Sequence, residues 1–164
     1  LMFYYGVTEP SNPIAHPWVY NGNEYTLNAY RYQSHLLERH LKMIEDAPYF
    51  FLLEDSLISH AGISEKFGTK VLSNKKIDIN KLQTFAEKHF DDENGILWNR
   101  GMLMNLGILQ IVGHCRYQNV VLKEKNKSLY IDTSVYTGNK LSAVIIEDGK
   151  LVKIISAPTV FDDL

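Results

Sequence analysis

Ile108-Leu109-Gln110-Ile111-Val112-Gly113-His114 is an apolar run that stops at a glycine and a histidine, and Leu57-Ile58-Ser59-His60-Ala61-Gly62-Ile63 has the same character upstream. Short apolar runs of this kind read as buried strands. A strand that ends in histidine presents an imidazole at the rim of a sheet, and the neighbouring glycine lets another group approach closely. Two such rims can converge on one metal ion. Between them lies Leu97-Trp98-Asn99-Arg100, an arginine just beyond a third short apolar run. Two imidazoles and a guanidinium at strand ends suit a metal and a phosphate.

Working outward, residues 119–122, 129–131, 141–146 and 151–156 read as further strands, punctuated by Asn126-Lys127, Thr137-Gly138-Asn139 and Asp148-Gly149. Asp148-Gly149 between two β-branched runs is a hairpin signal. Upstream, residues 49–53 and 57–59 read as short strands with Glu54-Asp55 as their turn. Residues 34–46 read as a helix with Leu36, Leu37, Leu41 and Ile44 on one face, Ser34 as N-cap and Pro48 as its end. Residues 79–89 carry Leu82, Phe85 and Ala86 at helical spacing, and the polar stretch 64–78 reads as loop. In residues 1–34, Pro10, Pro13 and Pro17 break any long helix, and residues 18–26 read as a turn between two aromatic pieces. Helices and strands followed by a strand-rich tail predict a single α/β (α+β) domain over residues 1–164.

Composition bounds the function. Charged residues make up 22 % and hydrophobic residues 45 %, so the chain can bury a core. The net charge of -2 gives no ground for bulk nucleic-acid or anionic-membrane binding. No apolar stretch approaches the roughly 18 residues that span a bilayer. No signal peptide is visible. The one cysteine, Cys115, cannot form an internal disulfide, which fits a reducing compartment and a cytoplasmic location.

The order apolar-His60-Ala61-Gly62, Leu97-Trp98-Asn99-Arg100, apolar-Gly113-His114, then Tyr130-Ile131-Asp132-Thr133 with Gly138-Asn139-Lys140-Leu141 resembles the calcineurin-like metallophosphoesterases. The nearest branch is the bacterial and phage serine/threonine protein phosphatase type, whose relatives cleave diadenosine polyphosphates. The resemblance covers most of residues 18–156. It implies a β-sandwich flanked by helices, two divalent transition metals (Mn, Fe or Zn), and hydrolysis of phosphomonoesters by a metal-bound hydroxide. His60 and His114 would be ligands of one metal, Arg100 would bind the phosphate, and Asp132 would shape the nearby loop without ligating. The family's Asp-x-His, Gly-Asp-x-x-Asp-Arg-Gly and Gly-Asn-His-Glu/Asp motifs are absent. Asn21-Gly22-Asn23-Glu24 lacks the histidine of the third. The chain thus resembles the C-terminal half of such a domain, lacks half the active site and is expected to be inactive alone. Cys115 stands where the family has threonine, and Ser134 where it has glycine.

Each residue also has a plainer reading. His60 and His114 could be sheet-end histidines bonded to backbone, and Arg100 a surface arginine with its stem on Trp98. Arg116 is a second cation at the rim or a solvated charge. Cys115 beside His114 is not by adjacency a nucleophile. His16, His35, His40 and His89, Lys75-Lys76 and the lysines of 123–127 read as surface or packing residues. The aromatic cluster from Phe3 to Tyr32 reads as core or interface. The expected substrate is a phosphorylated protein or small phosphoester, and the expected associate is the missing N-terminal half or a second copy. Two other functions stay open: a dinucleotide polyphosphate hydrolase and a non-catalytic partner-binding domain with a degenerate phosphatase fold.

Overall fold

Strand β1 (Phe50–Leu52), β2 (Ser56–Ser59), the ribbon β3 (Leu72–Ser73) with β4 (Lys76–Ile77), β5 (Leu109–Val112), β6 (Val121–Lys123), β7 (Ser128–Tyr130), β8 (Lys140–Glu147) and β9 (Lys150–Pro158) follow one another along the chain. They come from a computed structural model that describes residues 1–160. With helices α1 (Met2–Thr8), α2 (Asn23–Tyr30), α3 (Ser34–Glu45) and α4 (Ile79–Lys88), the architecture is mixed α+β. The chain divides into two compact units, Leu1–Pro48 and Tyr49 onward.

The second unit is built on a five-stranded sheet of order β1-β2-β5-β7-β6. Its three inner strands run parallel and the two edge strands antiparallel. Parallel neighbours need a crossover, and residues 60–108 supply it between β2 and β5. That crossover contains α4, which buries Leu82, Phe85 and Ala86 with Leu57 and Ile63 on one side of the sheet. Asp78 caps α4 by accepting the amides of Asn80 (3.1 Å) and Lys81 (3.2 Å). On the other side Leu109, Ile111 and Leu129 meet Val144, Ile146 and Leu151 of the β8–β9 hairpin. Period-two alternation along β5 thus serves two layers at once. Asp148 (φ 49°) and Gly149 (φ 68°) close the hairpin with the paired positive φ angles of a primed turn. A register shift between Ile145 and Ile146 bends it.

In the first unit Trp18 is buried, Phe3 packs edge-on against it (5.5 Å) and stacks on Tyr30 (5.7 Å). A Cβ at Gly6 would overlap the Trp18 ring, so only glycine fits. The hydroxyl of Tyr30 and Nδ1 of His40 are hydrogen-bonded at 2.6 Å, so His40 is a packing residue.

Three local expectations change. Residues 18–26 form the end of a 3-10 helix (His16–Tyr20) and the start of α2 rather than a turn between extended pieces. Pro17 sits in that helix's first turn, where its missing N–H costs nothing. Gln33, not Ser34, is the N-cap of α3. The stretch 64–78 is a 3-10 helix (Glu65–Val71) and the β3–β4 ribbon, because the Ser64 hydroxyl accepts the Lys66 amide (3.3 Å) and Asn74 and Lys75 adopt positive φ. Among the described residues no helix is long and apolar enough to cross a membrane.

Candidate functional site

Because β2, β5 and β7 are parallel and in register (Ser59 beside Val112, Val112 beside Tyr130), their carboxyl ends share one edge. The carboxyl edge of a parallel sheet is where α/β proteins collect function. The residues that follow each strand here are His60, Gly113-His114 and Ile131-Asp132. The Gly113 amide donates to the His60 carbonyl (3.0 Å) and the Ile131 amide to the Val112 carbonyl (2.9 Å), extending the ladder one step past the strand ends.

Beyond Gly113 the chain turns sharply. The Cys115 amide bonds the Gly113 carbonyl (2.6 Å) across His114, which holds φ at 60°. This is the rare, strained sense of a three-residue turn. It aims the imidazole back along the edge, where Nδ1 of His114 lies 3.2 Å from Nε2 of His60. Trp98 stands edge-on to the His114 ring at 6.2 Å. Nε2 of His114 is buried and has no hydrogen-bond partner. The Trp98 carbonyl still favours protonation of that ring.

Both imidazoles are held below the ordinary histidine value. For His60 the largest cause is desolvation, opposed by Asp132 and reinforced by the Arg100 cation. For His114 it is desolvation, then Arg100 and the His60 ring, opposed by Trp98 and Asp132. Neutral rings present lone pairs.

Arg100 follows Asn99, whose side chain turns inward and is buried while its Oδ1 accepts the Gly101 amide (3.0 Å). The exposed Arg100 reaches the His114 carbonyl with Nη1 at 3.5 Å, a weak contact. The Cys115 thiol donates to the Asn99 carbonyl (3.7 Å) rather than to an imidazole, tying the histidine turn to the arginine loop. Asp132 shapes its loop: Oδ1 accepts the Ser134 amide (3.0 Å) and its carbonyl accepts the Tyr117 amide (3.0 Å).

The glycine reading is corrected in detail. A Cβ at Gly113 would make only ordinary contacts, the nearest at 3.7 Å. The steric demand falls on Gly62, where φ is 78° and a Cβ would lie 2.8 Å from Leu103. Sequence reading also passed over Gln110. It is fully buried on β5, accepts the Ile63 amide at Oε1 (2.9 Å) and donates from Nε2 to the Met104 carbonyl (2.6 Å). A lone amide inside an apolar run was the signal.

Two nitrogens bound to one tetrahedral ion by bonds of ~2.0–2.1 Å stand about 3.3 Å apart, so the 3.2 Å pair has the bite of two ligands on one metal. The buried Nε2 of His114, with no hydrogen-bond partner and the Trp98 carbonyl nearby, suits the outer N–H that a ligating histidine keeps. A full site needs about four donors. Among the described residues no group of three or more His, Cys, Asp or Glu is placed to hold a metal. The pair fits as part of a centre. A cavity of about 570 Å³ lies elsewhere, around the strand starts, lined by Asp55, Leu109, Lys127 and Asp148.

No protein-family model matches the sequence, and no curated protein matches it. Among solved structures the chain is similar to a cold-active protein-tyrosine phosphatase of the psychrophile Shewanella sp., with 18 % identity, TM-score 0.48, and 68 % of this chain and 43 % of that chain covered. A point mutant of a cold-active protein tyrosine phosphatase gives 17 % identity, TM-score 0.46, and coverage of 68 % and 42 %. A protein provisionally described as a diadenosine tetraphosphatase gives 16 % identity, TM-score 0.43, and coverage of 74 % and 55 %. The chain spans about half or less of the length of these phosphatases. With these three TM-scores below 0.5, the functional reading rests on the residues themselves.

Proposed function

We propose that this chain carries part of a divalent-metal phosphoesterase site, with phosphorylated proteins as its substrates. His60 through Nε2 and His114 through Nδ1 would hold one transition metal, manganese, iron or zinc. Arg100 would bind two oxygens of the phosphoryl group with its fork. Such metals, when bound, neutralise charge on the phosphoryl oxygens and make a nucleophile of water at neutral pH. The protein's own contribution is positional. Strand register brings the imidazoles together, the His114 turn aims one at the other, and Trp98 covers a face from solvent. Desolvation, with Arg100 acting most on His114, biases both rings toward the neutral form that can ligate.

The observation that carries this reading is the 3.2 Å approach of two imidazole nitrogens at the carboxyl ends of adjacent parallel strands, with an arginine that reaches the same turn and forms no ion pair among the described residues. The remaining ligands would come from residues preceding this chain. The test is expression with those upstream residues included, followed by elemental analysis and a phosphomonoesterase assay with and without chelator. The expected result is about two transition metals per protein and chelator-sensitive hydrolysis that His60→Asn or His114→Asn abolishes. Metal-independent activity, or none after metal is restored, overturns the reading.

A further inference from the structure

The site edge carries a second arginine. Arg116 lies two residues beyond His114 on the loop whose Tyr117 amide is bonded to the Asp132 carbonyl. Its Nη1 donates to the Tyr136 hydroxyl at 2.7 Å, and its guanidinium carbon stands 5.6 Å from the Tyr136 ring centre. Tyr136 is 63 % exposed, yet its turn is firmly held. The Ser134 amide bonds the Asp132 carboxylate, and the Val135 carbonyl accepts the Gly138 amide (3.2 Å) and the Thr159 hydroxyl (2.7 Å). An exposed arginine is therefore braced by an exposed tyrosine on a rigid turn.

Among the described residues no carboxylate forms an ion pair with Arg116 or with Arg100. Arg100, from the neighbouring loop, reaches the carbonyl of His114, two residues before Arg116, so both guanidiniums serve the same sheet edge. One N–H of the Arg116 fork is spent on Tyr136, and the others remain for a ligand.

We propose that Arg116, braced by Tyr136, binds a second anionic group of the substrate next to the phosphoryl group taken by Arg100, so that the site selects compounds with two adjacent anionic groups. This rests on the phosphoesterase reading above. The second group can be another phosphoryl in a condensed phosphate or a carboxylate beside a phosphorylated residue. Both chemistries suit a guanidinium.

The test is calorimetric titration of the full-length protein with orthophosphate, pyrophosphate and the dipeptide phosphoserine-aspartate, the last set against phosphoserine-alanine. One charge-assisted contact predicts a preference of about tenfold or more for the doubly anionic member of each pair. Arg116→Gln is expected to reduce the affected ratio to within about twofold. Arg116→Lys, which keeps charge and loses the fork, is expected to fall between. Tyr136→Phe removes only the 2.7 Å bond and is expected to lower the ratio several-fold. Whichever pair loses its ratio identifies the second anion. Ratios that survive Arg116→Gln overturn the proposal while leaving the phosphoesterase reading intact. Absence of any phosphate binding that Arg100→Ala can abolish overturns both.

Discussion

Replacing Gln110 by leucine removes two buried hydrogen bonds without opening a large cavity. The Ile63 amide (2.9 Å to Oε1) and the Met104 carbonyl (2.6 Å from Nε2) both lose their side-chain partner. Ile63 and Gln110 are fully buried, so water does not replace that partner. A buried donor or acceptor left unsatisfied costs about 1–3 kcal/mol. The Met104 carbonyl has a second lone pair and the Ile63 amide has none, so the amide carries most of the loss. The expected destabilisation is about 2–5 kcal/mol, a large share of a domain's usual ~5–15 kcal/mol. The affected segments are those that leave His60 and follow Arg100, since Met104's amide also bonds the Ile63 carbonyl (2.9 Å). Urea unfolding of wild type and Gln110→Leu, followed by circular dichroism, reads the difference. Histidine ring resonances should shift in the same variant. A loss below about 1 kcal/mol at unchanged m-value would refute the claim that this amide staples the site's two loops together.

Gly62→Ala meets both the left-handed backbone penalty and a 2.8 Å clash with Leu103, so a loss of roughly 2–4 kcal/mol is expected in the same assay; a change within 0.5 kcal/mol on the order of ordinary surface substitutions would contradict it. His114→Gly relieves a strained φ of 60° and removes an orphaned buried nitrogen. Its unfolding midpoint should equal or exceed that of wild type, and a stability loss above about 1 kcal/mol would show the turn is not strained. The lowered His60 and His114 pKa values mean that the unfolded chain binds more protons than the folded one below about pH 6.5. Stability is therefore complete above that pH and declines as pH falls through the folded-state values; the His60→Asn/His114→Asn double variant should show a flatter decline between pH 6.5 and 5, and identical slopes would rule the pair out as its source.

Much of the second unit was legible because its signals are local. Apolar runs bounded by turn residues located β1, β2 and β5 to β9 to within a residue or two, and Asp148-Gly149 fixed the hairpin through paired positive φ. The period of Leu82, Phe85 and Ala86 located α4. The first unit was harder. Its prolines do exclude a long helix, but the short helices between them, with Pro17 in the first turn of one, depend on the packing of Phe3, Trp18 and Tyr30, which is not a local property. At the candidate site the two histidines and Arg100 could be named from flanking pattern alone. Their approach could not, because it depends on which strands are neighbours and in which register. Gln110 left one signal, a lone amide in an apolar run, but its partner Ile63 and the Arg116–Tyr136 brace were not legible because those bonds join residues distant in sequence.

The imidazole pair also constrains how a metal would enter. A 3.2 Å contact between two ring nitrogens requires one of them to carry a proton. The Trp98 carbonyl favours a proton on the His114 ring, and with that proton on Nε2, Nδ1 is left as acceptor. With that tautomer His60 would donate from Nε2. Ligation needs that same nitrogen bare, so the His60 proton must move to Nδ1 while His114 keeps its tautomer. The two rings are thus unequal: His114 is preorganised by Trp98 and by the strained turn, and His60 is the one that must adjust. A strained and desolvated His114 with an unpartnered Nε2, facing an adaptable His60, is a costly arrangement for a purely structural hydrogen bond between two neutral side chains, which contributes only about 0.5–1.5 kcal/mol. That imbalance between strain and return favours the proposed ligand role over sheet-end packing.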